Sequence, residues 1–156
     1  MWICPHCRKP LTPDGERSLA CDSGHRFDFA REGYVNLLPA NRKRSKNPGD
    51  SQQMISARGR IHDASLYQPL AQALVAQITA TGQAPDTVLD LGCGEGYYSQ
   101  ALMSAFTGVR LFGIDIAKSA VRLAARRYKS GHFAVASAFD VPLADASLDL
   151  VQSVFA

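Results

Sequence analysis

The sequence predicts an α/β chain in which a doubly wound parallel sheet follows a small metal-binding module, and three observations predict it. An apolar run, Val88-Leu89-Asp90-Leu91, stops abruptly at glycines on alternate positions, Gly92, Gly94 and Gly96. A helical stripe and then a second apolar run, Val109 to Ile114, follow that turn and end on Asp115, the order of a strand-helix-strand unit. Cys4, Cys7, Cys21 and His25 crowd the N-terminal end. With 156 residues and 46% hydrophobic content, the chain has material for one ordinary core and a small appended module.

Composition excludes some classes. No apolar run approaches the ~20 residues that span a bilayer. Cys4 stands too near Met1 to leave room for a signal peptide. The expectation is a cytoplasmic protein with no membrane partner. A net charge of +3 says little, but its distribution says more. Between Ala40 and Arg60 lie six basic residues, Arg42, Lys43, Arg44, Lys46, Arg58 and Arg60, against the single acid Asp50, which leaves the remainder of the chain at −2.

Taken in order, the chain opens on Cys4-Pro5-His6-Cys7, followed after thirteen residues by Cys21-Asp22-Ser23-Gly24-His25. Two ligands separated by two residues can turn back on one ion, and tetrahedral zinc accepts thiolates and imidazole together. The expected set is Cys4, Cys7, Cys21 and His25, a structural site with no open position. The competing reading, a disulfide or buried thiols, suits neither a cytosolic chain nor so short a segment. His6 is the rival fourth ligand, although its place between Cys4 and Cys7 would strain the knuckle. Cys93, far along the chain between two glycines, reads as a small residue of that turn.

Phe27 and Phe29 alternate like one face of a strand and are expected to cover the metal knuckle, with base stacking as the other use. Asn41 to Arg60 is polar and basic, with a Pro48-Gly49 turn, and reads as a connector. Its cations either sit in solvent or neutralise phosphates without reading sequence; Arg58 and Arg60 are alternatively placed in a catalytic cleft. The expected division is a zinc module over 1–38, a basic linker over 39–65 and a nucleoside-binding domain from 66 to 156.

Pro69 suits the first turn of a helix, where its missing amide costs nothing. Leu70, Ala73, Leu74, Gln77 and Ile78 then follow a helical stripe, ended by Gly82 and Pro85. Val88 to Leu91 is the first buried strand, with Asp90 bracing the turn. Gly92 and Gly94 permit backbone angles that side chains forbid, and Gly96 lets the next helix start close to the strand. That helix aims its free amides at whatever lies over the glycines. Tyr98, Leu102, Ala105 and Phe106 form its inward stripe. Asp115, nineteen residues after Gly96, ends the second strand, where a carboxylate accepts both hydroxyls of a ribose. The next helix buries Ala120, Val121, Ala124, Ala125 and Tyr128, and has Arg126, Arg127 and Lys129 about its end. His132 to Ala136 is the third strand and Asp149 to Phe155 the fourth.

Glycine spacing decides the ligand class. A dinucleotide turn, Gly-x-Gly-x-x-Gly, needs glycine at position 97, which is Tyr97. The pattern from Asp90 to Gly96, Asp-x-Gly-x-Gly-x-Gly, instead resembles motif I of the class I S-adenosylmethionine-dependent methyltransferases, which implies a Rossmann-like fold. Ser137-Ala138-Phe139-Asp140-Val141-Pro142-Leu143 is similar to a later segment of such enzymes, except that Ser137 replaces the acid that usually meets adenine.

Together with Cys-Pro-x-Cys, Gly-His-x-Phe-Asp, Ala-Arg-Glu-Gly-Tyr-Val-Asn-Leu-Leu-Pro and Asn-Pro-Gly-Asp-Ser, these motifs resemble the 23S rRNA guanine-N1 methyltransferase family RlmA along the whole chain. The resemblance implies a zinc domain that helps hold an rRNA hairpin, a homodimer, and methylation of guanine N1. It implies that Gly92, Gly94 and Glu95 place the methionine portion of the donor, Asp115 the ribose and Ser137 the adenine. Tyr67 then approaches the methyl donor, against a packed aromatic at a helix entry as its other role. A doubly wound methyltransferase sheet has more strands than the four legible here, so the chain is expected to be cut short, with Leu150 to Phe155 an exposed apolar edge and poor solubility.

N1 of guanine carries a proton that a base must remove, and it faces its partner in a duplex, so the target must be unpaired or flipped out. No residue is assigned as that base; Asp140 and Asp145 are near only by loop position, and a solvated role competes. Two alternatives stand beside this reading. One is a methyltransferase for a small molecule or a protein, stabilised by the zinc module, and the other a non-catalytic zinc-ribbon RNA-binding protein with a degenerate or truncated second half.

Overall fold

A computed structural model describes residues 1–42 and 49–156. Two sheets organise the chain. The first is antiparallel, ordered β1 (Thr12–Pro13), β2 (Ser18–Ala20) and β3 (Arg26–Asp28). The second contains β4 (Val35–Asn36), β5 (Thr87–Leu91), β6 (Arg110–Asp115), β7 (His132–Val135) and β8 (Leu150–Gln152), in the spatial order β4-β7-β6-β5-β8. Every neighbouring pair in this second sheet is parallel. The class I methyltransferase fold expected from the glycine turn is thus present, with one addition. The edge strand β4 comes from the N-terminal segment and pairs Val35 with Ala134 and Asn36 with Val135.

Strands β5 and β6 are mostly apolar between their ends, apart from Asp90, because both faces of the sheet are covered. On one face Val88, Leu111, Phe133 and Val135 pack with Leu102 and Phe106 from α3 (Tyr97–Ala105) and its end, and with Val121, Ala124 and Ala125 from α4 (Lys118–Arg127). On the other face no described helix stands. Trp2, Cys4, Leu11, Leu19 and Cys21 cover Leu89, Phe112, Ile114, Ala134 and Ala136 there. Trp2 meets Phe112 edge to face at 5.0 Å. Main-chain bonds from Ile3 N–H to Pro142 O and from Ala144 N–H to Met1 O fasten the same segment to the loop after β7, at 2.9 and 3.3 Å. The small module is a layer of the core.

The helices depart from the sequence reading in three places. Residues expected to be connector form α1 (Gln52–Asp63), capped by Ser51, whose side chain accepts from Met54 N–H. It carries no apolar stripe, since Ile55, Gly59 and His62 are its buried residues, which is why periodicity did not mark it. Helix α2 (Gln68–Ala80) starts with Pro69 in its first turn, but its inward side is Ala71, Val75 and Ile78, leaving Ala73 and Gln77 exposed. In α3 the buried positions are Tyr98, Ser99 and Leu102, while Ala105 faces solvent. The expected fourth strand is an edge strand, β8, but shorter than Asp149 to Phe155: Val151 within it is 52% exposed, and Phe155, beyond its end, is 72% exposed. Lys43, Arg44 and Lys46 and the proline of the Pro48-Gly49 turn lie outside the described residues.

Candidate functional site

The cysteine knuckle closes into a four-donor cluster. Sγ atoms of Cys4, Cys7 and Cys21 and a ring nitrogen of His25 lie within 4.8 Å of one another. Cys7 and Cys21 sulfurs are 3.6 Å apart, and His25 Nδ1 is 3.5 Å from Cys4 and 3.4 Å from Cys21. A tetrahedron with zinc–sulfur bonds of ~2.3 Å has sulfur–sulfur edges of about 3.8 Å, so the donors fit zinc. The backbone N–H of Lys9 helps bring the Cys7 thiol down to about 6, toward the thiolate that a metal takes. Hydrogen bonds that the His25 ring donates to the Cys7 and Cys21 sulfurs raise its imidazole, a shift that a bound metal must overcome. Burial raises Cys4. His6 is outside the cluster, stacked on Phe27 at 6.0 Å and tilted against His25 at 5.0 Å. Phe27 packs against the apolar cluster that holds Cys4 and Cys21, and His6 lies on Phe27.

The second site grows from the end of β5. Gly92 and Gly96 both take left-handed angles, φ +74 and +85. A side chain at Gly96 would also strike Tyr128, whose ring atoms lie 2.8 Å from the place of its Cβ. Asp90 is buried and accepts from Ser99 Oγ on α3, so it braces strand to helix as the sequence suggested. Burial pushes its carboxyl up to about 6, with Ser99 and Gln152 hydrogen bonds opposing the rise. Cys93 is buried beside Gly113, away from the metal cluster, and burial raises its thiol.

Asp115 closes the turn from the neighbouring strand. Its Oδ2 accepts Gly94 N–H at 2.9 Å and its Oδ1 accepts Ala117 N–H at 2.7 Å. Each oxygen keeps a lone pair for a ligand hydroxyl. A cavity of about 280 Å³ opens here, lined by Gly92, Ile114, Asp115, Ile116 and Ala136 to Phe139. Ser137 sits in its wall with Oγ accepting Phe139 N–H at 3.2 Å. Glycine backbone, a carboxylate facing the turn and an apolar shelf at Ile116 suit a nucleoside with an amino-acid tail, the shape of the expected donor.

The predicted donor residues do not all converge. Gly92, Asp115 and Ser137 line the cavity, and Gly94 bonds to Asp115 beside it. Glu95 turns away. Its buried carboxylate pairs with His62 Nδ1 at 2.8 Å, with Arg127 Nη1 at 4.0 Å. Tyr67 does not line the cavity; exposed, its ring lies against His62 at 5.8 Å and against Phe155, a lining residue, at 5.7 Å. Of the two arginines considered for a cleft, Arg58 lines the cavity and Arg60 lies exposed beside Ser56. Gly49, Asp50 and His62 are additions of the structure. Gly49 and Asp50 belong to the Asn-Pro-Gly-Asp-Ser motif, whereas a single histidine on a polar helix carries no sequence signal. Asp140 bonds to Arg8 and Arg42 and so ties the loop after β7 to the N-terminal segment. Asp145 lies exposed on that loop.

Comparison with known proteins agrees with both halves. Residues 2–46 match the family model for the RlmA N-terminal domain, a zinc ribbon, and residues 88–156 match a methyltransferase-domain model. The chain is 39% identical over 98% of its length to the 23S rRNA (guanine(748)-N(1))-methyltransferase of Streptomyces fradiae, of which it covers 54%. It is 33% identical over 99% of its length to a Bacillus subtilis protein provisionally named a 23S rRNA (guanine-N(1)-)-methyltransferase, of which it covers 56%. Among solved structures, a provisionally assigned S-adenosyl-L-methionine-dependent methyltransferase of Methanococcus maripaludis superposes with a TM-score of 0.63 at 19% identity, covering 73% of this chain and 55% of that one, a likeness of fold. The chain spans about half the length of the curated relatives it matches. No described helix is long and apolar enough to cross a membrane.

Proposed function

The chain joins an RlmA-family zinc ribbon to a class I methyltransferase domain, and from that premise we propose that the protein transfers a methyl group from S-adenosyl-L-methionine to N1 of a guanine in a 23S rRNA hairpin. The observation that carries the reading is the zinc ribbon itself, because the methyltransferase half serves many substrates while the ribbon is particular to RlmA. We divide the work as a zinc module over 1–38 that meets RNA, a basic segment over 39–65 whose helix α1 flanks the donor cavity, and a methyltransferase part over 66–156 that supplies the rest of the donor site. The protein acts in the cytoplasm, where rRNA is made, as a homodimer.

Zinc, held by Cys4, Cys7, Cys21 and His25, has a structural role, since four protein ligands leave no position for water. The donor supplies an electrophilic methyl on a sulfonium. Everything else is placement by this chain. Asp115 takes the ribose hydroxyls through the lone pairs left by Gly94 and Ala117. Ser137 and the backbone of Ala138 meet adenine. Gly92 and Gly94 allow the methionine portion close approach, and Tyr67, against the lining residue Phe155, approaches the donor from outside the cavity wall. Glu95 contributes indirectly, by fixing α1 through His62. The target guanine must leave its pair and lose its N1 proton as the methyl arrives. Asp140 is engaged with two arginines, and the base is left unassigned.

Incubating the protein with methyl-labelled donor and separate pools of rRNA, protein and small metabolites tests the proposal. Label is expected in 23S rRNA; label confined to a small metabolite or a protein would refute it.

A further inference from the structure

We propose that Asp50 and Arg58 form the subsite for the amino-acid end of the methyl donor, Arg58 receiving its carboxylate and Asp50 its ammonium. The inference deepens the donor reading and rests on it.

Both side chains line the same cavity as Gly92, Asp115 and Ser137. They are joined by a contact from Arg58 Nη2 to Asp50 Oδ2. Arg58 Nη1 lies 3.7 Å from the place a Cβ on Gly94 would occupy, so the guanidinium hangs over the donor turn. Asp50 is brought there by its neighbour: a side chain at Gly49 would come 2.7 Å from the Cβ of Ala117, just beyond Asp115. Only a glycine lets that backbone pack so closely.

Charge completes the argument. An amino-acid tail is a zwitterion, and partly burying it against one sign of charge would leave the other unpaired. An aspartate beside an arginine offers each end its complement. The contact uses one nitrogen of the guanidinium and one oxygen of the carboxylate, and among the described residues Arg58 Nη1 and Asp50 Oδ1 carry no other hydrogen bond, so the assignment gives them to the ligand. The side chains are 39% and 30% exposed, open enough to be reached from the cavity. Glu95 is unavailable for this task because its carboxylate is buried against His62. His62 stands one turn beyond Arg58 on α1, so that pair also fixes the helix from which Arg58 reaches.

Calorimetric titration with three ligands tests the assignment: S-adenosylhomocysteine, its decarboxylated analogue, and 5′-methylthioadenosine, which lacks the whole tail. Arg58→Met is expected to weaken S-adenosylhomocysteine by roughly 10- to 100-fold, the effect of losing a charged hydrogen-bond partner. It should leave the other two ligands unweakened. Asp50→Asn should weaken both amine-bearing ligands and spare 5′-methylthioadenosine, whose unchanged binding also shows that the variant is folded. Arg58→Met binding S-adenosylhomocysteine as the wild type does, or losing all three ligands alike, would overturn the subsite while leaving the donor reading intact. A wild-type protein that binds none of the three would overturn both.

Discussion

Replacing His62 with leucine tests how α1 is held to the donor turn. His62 and Glu95 side chains are 7% and 3% exposed, joined at 2.8 Å, and the imidazole also stacks on Tyr97 at 4.1 Å. Leucine keeps much of the packing volume but strands the carboxylate. Breaking a buried pair from one side costs about 3–5 kcal/mol, and a hydrogen bond to a charged group is worth ~1.5–3 kcal/mol. Arg127, 4.0 Å from Glu95, is a partial substitute, so the lower end of the first range applies, about 3 kcal/mol. For a chain of this size each kcal/mol moves the melting midpoint by ~2–4 °C, which gives a fall of roughly 6–12 °C by circular dichroism. Adding Glu95→Leu should restore part of the loss, because no charge is then left buried without its partner. A His62→Leu variant melting with the wild type, or a double variant losing the simple sum of the two single effects, would refute this account of the pair.

Three further outcomes follow from the sites. The protein should contain one zinc per chain by atomic absorption, and stripping it should shift the emission of Trp2, the sole tryptophan and 6% exposed, to the red as the module leaves the sheet; unchanged emission would speak against a structural metal. Asp90 has a folded carboxyl raised from 3.8 to about 6, so the native state binds the extra proton and stability falls as pH rises across that window, by roughly 3 kcal/mol in all; Asp90→Asn should remove this component from the difference between urea midpoints at low and neutral pH. Asp115→Asn should weaken S-adenosylhomocysteine about 10- to 100-fold in equilibrium dialysis, since Asp115 both faces the cavity and holds the Gly94 and Ala117 amides.

Strongly local chemistry was legible in the sequence. The Cys4, Cys7, Cys21 and His25 set emerged from spacing, and the structure gathers those four donors. Gly92, Asp90 and Asp115 declared their places because a strand that ends in glycines, followed by a second strand ending in an acid, has few other uses. Long-range placement was not legible. Nothing in Val35-Asn36 announces a strand joining β7, because two residues carry no periodicity, and Trp2 gives no hint that its partner is Phe112. Helix α1 was read as a connector since most of its surface is polar. The family resemblance places Glu95 on the donor, while the direction of its side chain is set by His62, thirty-three residues earlier. No local pattern in the zinc module shows that its apolar residues cover a sheet face that helices cover in doubly wound folds.

In the proposed function, the zinc ribbon and the donor cavity together direct methylation to one guanine N1. Reverse transcription across 23S rRNA treated with the protein and S-adenosyl-L-methionine tests it most directly, because a methyl on N1 blocks base pairing and halts the polymerase. The account predicts one new stop, adjacent to a single guanine in a hairpin, that requires the donor and disappears in Asp115→Asn. Methylated rRNA without a stop, or stops scattered over many guanines, would contradict it.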